Sequence, residues 1–270
     1  MLMFRFIVAP LAVAATLVSA SGLAEANCGL DYCPLPEDEA SKLELGSVQL
    51  MVRHVEFSLP EGNGSYLENL VRVDVQRFAN WNFGAWIAPT MLTVNEETRT
   101  GLSNPVLFAE RRQPIGNRWR LLAGLQLEVP MGDSHNGIAS GHTELLSYVG
   151  AAIDTDALRL QVQGGLATAL SKGHGHSGSN AIFVNPHEDR EAQVRATLVA
   201  PLLNGRLQPM ALFNGRMVVE DVEDRMFLTG AFGASYQITG NVRFTGQIEV
   251  PLTEAQRFDW RAGMGIGFAL

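Results

Sequence analysis

Residues 258–270, Phe-Asp-Trp-Arg-Ala-Gly-Met-Gly-Ile-Gly-Phe-Ala-Leu, decide the fold. Read as a strand, they place Phe258, Trp260, Ala262, Met264, Ile266, Phe268 and Leu270 on one face, and Asp259, Arg261, Gly263, Gly265, Gly267 and Ala269 on the other. A face carrying Trp and Phe, opposed by a face of charges and glycines, suits a strand with lipid on one side and a polar lumen on the other.

The stretch resembles the C-terminal signal of bacterial outer-membrane β-barrels, with Leu270 where that signal ends in an aromatic residue. The resemblance implies that Trp260, Phe268 and Leu270 are read by the barrel-assembly machinery and then face lipid. The other end of the chain agrees. Arg5 supplies a short basic region, residues 6–20 an apolar core, and Ala24-Glu25-Ala26 a cleavage site, so residues 1–26 read as a signal peptide. This run is too short to span a membrane. Glu25-Ala26-Asn27 before Cys28 argues against a lipoprotein, and the mature chain starts near Asn27.

One Arg and one Glu leave with the leader, so the formal charge stays at −8, which argues against a nucleic-acid partner. No later stretch approaches the length of a membrane helix, and only a barrel then spans a bilayer with every backbone polar group satisfied. The expectation is an all-β protein: one transmembrane antiparallel barrel of about twelve strands over residues 45–270, preceded by a periplasmic segment, 27–44. Cys28 and Cys33 form a disulfide in an oxidising periplasm; two thiolates with no nearby His make a poor zinc site.

Strand-like runs fall at 45–57, 66–77, 81–93, 103–112, 118–130, 143–153, 158–170, 190–201, 206–219, 225–237, 241–250 and 258–270. Alternation is clearest in Val242, Phe244, Gly246, Ile248 and Val250 against Arg243, Thr245, Gln247 and Glu249. It is weakest in the first and fourth runs, where His54 and Glu56, or Glu110, fall on faces expected to be apolar. The connections alternate between longer polar segments (58–65, 94–102, 131–142, 171–189, 220–224, 251–257) and tight turns (78–80, 113–117, 154–157, 202–205, 238–240). Outer-membrane barrels place short turns in the periplasm and longer loops outside. A soluble sandwich would not need that asymmetry.

Arginine outnumbers lysine eighteen to two, and Arg72, Arg120, Arg159, Arg195, Arg216, Arg243 and Arg261 lie on polar faces. Each would cost about 2–4 kcal/mol on a lipid face at mid-depth, so these faces look inward. Asp74, Glu128, Glu249 and Asp259 are inward partners for them. Such a lumen either favours anionic solutes or is a neutralised network that holds the barrel shut. Twelve strands leave a bore wider than that of eight and far narrower than that of a sixteen-stranded porin.

The remaining chemistry is sparse. His174 and His176, with His187-Glu188-Asp189, are the only cluster of potential metal ligands, and their glycine-rich loop reads as flexible instead. No cofactor is expected. An outer-wall lipid hydrolase would need His, Ser and a third group in fixed geometry; His142 with Ser147, and His176 with Ser177, Ser179 and Asn180, lack that spacing, so the chain does not read as an enzyme.

Gly101-Leu102-Ser103-Asn104-Pro105, then Leu127-Glu128-Val129-Pro130-Met131-Gly132-Asp133, then Ser140-Gly141-His142-Thr143 resemble the outer-membrane transporter family of the MetA pathway of phenol degradation. That family has Gly-Leu-Gly-Asp-Pro before one strand, and Pro-x-Gly-Asp ending a later one; this chain departs at Ser103 and Asn104. The resemblance implies passage of small, often hydrophobic compounds across the outer membrane and carries over no catalytic residue. The function expected is a narrow passive channel or transporter for hydrophobic or anionic small molecules. The alternative is a structural or partner-binding barrel that works through its outer loops.

Overall fold

The computed structural model describes residues 46–59, 62–76, 80–170, 183–184, 189–219 and 226–270. Its strands are β1 (Ser47–Leu59), β2 (Gly62–Gln76), β3 (Trp81–Ile87), β4 (Pro89–Val94), β5 (Glu97–Leu102), β6 (Val106–Ile115) and β7 (Trp119–Glu128). They continue with β8 (Glu144–Asp154), β9 (Arg159–Ala169), β10 (Arg190–Val199), β11 (Leu207–Val218), β12 (Met226–Thr239), β13 (Val242–Pro251) and β14 (Trp260–Ala269). Each pairs antiparallel with its neighbours, and β1 closes the ring by pairing with β14 on one side and β2 on the other, with Val48 opposite both Phe268 and Val73. Two staves are interrupted. β2 pairs with β3 and β4 in one register, Val71 opposite Ile87 and Gly64 opposite Val94, so these two are one stave broken at Ala88. β5 and β6 are likewise one stave, with an extra residue at Ser103-Asn104-Pro105: Pro89 faces Leu102, whereas Trp86 faces Val106. A bulge of this kind accommodates a proline, which has no N–H to give the ladder. The protein is therefore a closed antiparallel barrel of twelve staves.

The outward face forms an apolar belt that includes Leu125, Val149, Val162, Phe232, Ile248 and Met264, all exposed. So wide an exposed apolar surface is what a lipid-embedded barrel presents. Towards the end that holds the short turns, Trp81, Phe83, Trp119 and Tyr236 project outward, and the Trp81 and Phe83 rings stack at 5.8 Å. This matches the aromatic girdle of membrane barrels. No helix among the described residues is long and apolar enough to cross a membrane.

Two of the expected outer loops are not loops. β1 and β2 run through most of 58–65, with Leu59 opposite Gly62, and β5 occupies 97–102. The turn between β4 and β5 is only Asn95-Glu96, both at positive φ (47° and 72°), the backbone of a two-residue hairpin turn. The reason is position. These hairpins rise beyond the lipid belt, so their outward residues, such as Ser58, Ser65, Thr93 and Thr98, need not be apolar, and the alternation that marks a strand disappears. Glu110 is also corrected: with Phe108 and Arg112 it faces inward and is fully buried, leaving Leu107 and Ala109 outward. His54 and Glu56 do face outward, beside Trp260, whose Nε1 donates to Glu56 Oε2 at 2.9 Å. Phe258 and Asp259, expected on the outward and inward faces, are exchanged: they precede β14, so strand alternation does not hold there, and Phe258 packs against the buried cluster at the mouth while Asp259 bonds the outward Ser58. The signal peptide, Cys28, Cys33, His174, His176, His187 and the connection 220–224 lie outside the described residues.

Candidate solute path in the barrel lumen

The inward positions of the staves carry the charge of the membrane segment, and they carry it as pairs. Arg53 meets Glu68, with Nε donating to Oε2 at 2.5 Å. Arg72 Nη2 donates to Asp74 Oδ1 at 2.8 Å, and its guanidinium lies over the Phe108 ring at 4.6 Å. Arg112 Nε donates to Glu110 Oε1 at 2.6 Å. Tyr148 also reaches Glu110, its hydroxyl donating to Oε2 at 2.9 Å. It does so by leaning across Gly124 of the intervening strand, where a Cβ would meet the tyrosine ring at 2.3 Å.

Of the arginines expected in the lumen, Arg120, Arg159 and Arg243 lie near the turn end. Arg120 pairs with Asp154, which Arg159 approaches at 3.8 Å, and Arg243 is buried on β13. Arg216 and Arg261 lie near the loop end of β11 and β14, and Arg195 lies at the middle of β10. Arg195 Nε donates to Asn214 Oδ1 at 2.9 Å, and Asn214 Nδ2 donates to Glu249 Oε1 at 3.3 Å. Glu249 also takes bonds from Arg261 and Thr229. Arg120, Arg159, Arg195, Arg216 and Arg243 thus occupy different depths and do not ring one passage. Asp259 sits at the rim, accepting from Ser58 Oγ at 2.7 Å.

A vestibule at the loop end, about 920 Å³ including its open mouth, is lined by residues of β8 to β14 and by Tyr66 of β2. Its charged lining is Arg195, Arg216, Arg257, Arg261 and Glu249. Arg257, from the connection before β14, bonds Glu191, and Arg216 stands 3.7 Å from the same carboxylate. Neither Glu191 nor Arg257 stands out in sequence: they are 66 residues apart, and only closure of the barrel joins them. Towards the turn end lie the buried Thr197 of β10 and a buried apolar cluster of Val199, Met210, Leu212 and Ala231.

The opposite side of the mouth is packed. Val55, Phe57, Tyr66, Leu92 and Val94 from the tall hairpins form a buried cluster with Ile138, Phe183 and Val184 from two connections, and the Phe57 and Phe183 rings stack at 5.4 Å. Beside it, the three segments singled out as motifs meet. Asn104, in the bulge, donates through Nδ2 to Glu128 Oε1 (2.7 Å) and Ser140 O (2.9 Å), and its Oδ1 accepts from Gly132 N–H at 3.0 Å. Asp133 Oδ2 accepts from Leu102 N–H at 2.7 Å, and a Cβ on Gly101 would sit 2.6 Å from that carboxylate oxygen. These motif residues therefore clamp the connection 129–143 onto the bulge. His142 is buried, while Ser147 is exposed on the outward face of β8.

No known family and no curated protein matches this sequence. The fold is similar to solved outer-membrane channels. An outer membrane channel from Pseudomonas putida F1 superposes with a TM-score of 0.66 at 12% identity, covering 88% of this chain and all of that one. The NanC porin gives 0.55 at 15% identity over 82% of this chain and all of its own. The KdgM porin gives 0.54 at 11% identity over 83% of this chain and 99% of its own.

Proposed function

We propose that the protein is a narrow passive channel for small molecules in the outer membrane of a Gram-negative cell, with its turn end in the periplasm. The observation that carries this reading is the polar inward face. Gln161 Oε1, Gln247 Oε1 and Arg159 Nη1 are buried on that face with no hydrogen-bond partner in the protein. Buried polar atoms are satisfied almost without exception, so these three are best accounted for by water in a hydrated lumen. The segments that resemble those of the MetA-pathway transporter family support the same reading, as does a fold similar to that of solved channels. In this proposal residues 1–26 direct Sec-type export, and Trp260, Phe268 and Leu270 are the signal read by the assembly machinery before β14 meets lipid. Purified protein in a planar bilayer should give discrete conductance steps well below those of a general porin.

A second reading has its own support. The packed half of the mouth, where Phe183 and Ile138 sit on Phe57 and Val55, suits a closed barrel that works through its loops. Absence of conductance steps from folded protein would favour it. Orientation is tested separately: an epitope inserted in 171–189 should be labelled on intact cells, and one at 202–205 only after permeabilisation.

A further inference from the structure

The vestibule stops at a definite level in the barrel. On β8 to β13 its lining ends, towards the turn end, at Tyr148, Gln163, Arg195, Asn214, Thr229 and Glu249. Gly150, Gln161 and Leu212, the next inward residues of their strands, lie beyond it. Tyr148 is the one ring among those six. Register sets it in a row that runs Glu110, Gly124, Tyr148 and Gly165 across four adjacent strands, β6 to β9. Directly opposed residues on neighbouring strands stand about 5 Å apart, so a tyrosine flanked by two glycines has room to lean to either side.

It leans over Gly124. Its hydroxyl donates to Glu110 Oε2 at 2.9 Å, while Arg112 Nε donates to Oε1 of the same carboxylate at 2.6 Å. Any side chain at Gly124 would overlap the ring, so the glycine is what lets an aromatic residue lie along the wall. Gly165, on the other side, lines the vestibule. In this pose only 5% of Tyr148 is exposed. The other staggered rotamers swing the ring off the wall, into the lumen or across Gly165. We infer that Tyr148 sets the bore where the vestibule narrows: held on Gly124 by Glu110, its ring leaves the passage its width, and displaced from that berth it narrows the passage. This rests on the channel reading and adds the residue that limits the size of the solute.

Single-channel steps of the folded protein in a planar bilayer, with potassium chloride as the only solute, test the inference. Conductance follows pore diameter, so Tyr148→Ala should raise the step about twofold, and Gly124→Ala, which pushes the ring off the wall, should lower it about twofold. Tyr148→Phe keeps the ring and loses the bond to Glu110, so it should keep the parent's full step and add brief closures. The double variant Gly124→Ala/Tyr148→Ala should match Tyr148→Ala, since no ring is left to displace. Leu125→Ala, on the outward face beside Gly124, should leave the step unchanged. A parent-sized step in Tyr148→Ala overturns the inference, as does a step in Tyr148→Phe as large as that of Tyr148→Ala, or a Gly124→Ala effect that survives in the double variant. If Gly124→Ala does not fold, the two Tyr148 variants decide the matter. A conducting parent whose step Tyr148→Ala leaves unaltered loses only this inference. A silent parent beside a conducting Tyr148→Ala keeps Tyr148 as the stopper and loses the passive-channel reading; silence in both loses both.

Discussion

Val55 of β1 and Arg216 of β11 both point inward near the loop end of one barrel, yet one is sealed in an apolar core and the other faces an open vestibule. The difference comes from what lies opposite. Val55 and Phe57 belong to a hairpin tall enough for Ile138 and Phe183 to fold onto, whereas Arg216 stands among polar groups, 3.7 Å from Glu191, on the lining of the vestibule. A hydrophobic cluster closes by exclusion of water. A polar lining does not, because guanidiniums, carboxylates and amides are costly to bury without water or a partner, so space between them stays hydrated. One part of the mouth is thus sealed by apolar packing, and the part beside it, across Tyr66 and Phe258, stays open.

The hardest blow to this contrast is Phe57→Ala. It removes a fully buried ring from the packed half and should cost about 3–5 kcal/mol. If the packed half narrows the mouth, conductance should rise as the urea midpoint falls; unchanged conductance would mean that this cluster does not border the path. Next comes a control on the outer wall. Phe232 is 70% exposed at mid-strand on β12, and Phe232→Arg should cost about 2–4 kcal/mol in lipid and leave selectivity alone. A variant that refolds into vesicles as well as the parent would remove Phe232 from the lipid belt.

In the open half, Glu191→Gln takes a fully buried carboxylate from Arg216 and Arg257 and should cost about 1–3 kcal/mol. The same change leaves the vestibule more positive, so bilayer reversal potentials should move towards anions even as stability drops. A shift towards cations would show that Glu191 does not act on the path. The smallest effect belongs to the hairpin tip. Arg99 and Glu97 form an exposed pair at 2.5 Å, and Glu97→Gln should change the unfolding free energy by no more than about 1 kcal/mol, less in high salt.

Legibility in the sequence followed the lipid. Where a stave lies wholly in the belt, as in β13 from Val242 to Val250, the alternation placed every side chain on its observed face. Where staves rise above the belt, as at Ser58–Leu59 and Thr98–Thr100, outward residues are polar and the strand reads as a loop. The bulge at Ser103–Pro105 shifted the phase of β6 by one residue, which is why Glu110 read as facing the wrong way. The arginines of the lumen were recognisable because charge is costly in lipid. Their grouping was not, since depth within the barrel depends on where each strand begins relative to its neighbours.

By itself, the sequence determined that the chain makes a closed barrel of about twelve staves, and which side chains in the belt face lipid, because period-two alternation and the cost of an unpaired backbone in lipid allow little else. Only the tertiary structure decided which inward residues meet. Register brings Glu191 to Arg257 across 66 residues, leans Tyr148 over Gly124 onto Glu110, and folds two connections onto one half of the mouth while the other half stays open. These are long-range contacts set by the relative stagger of strands, and no local pattern of residues encodes that stagger.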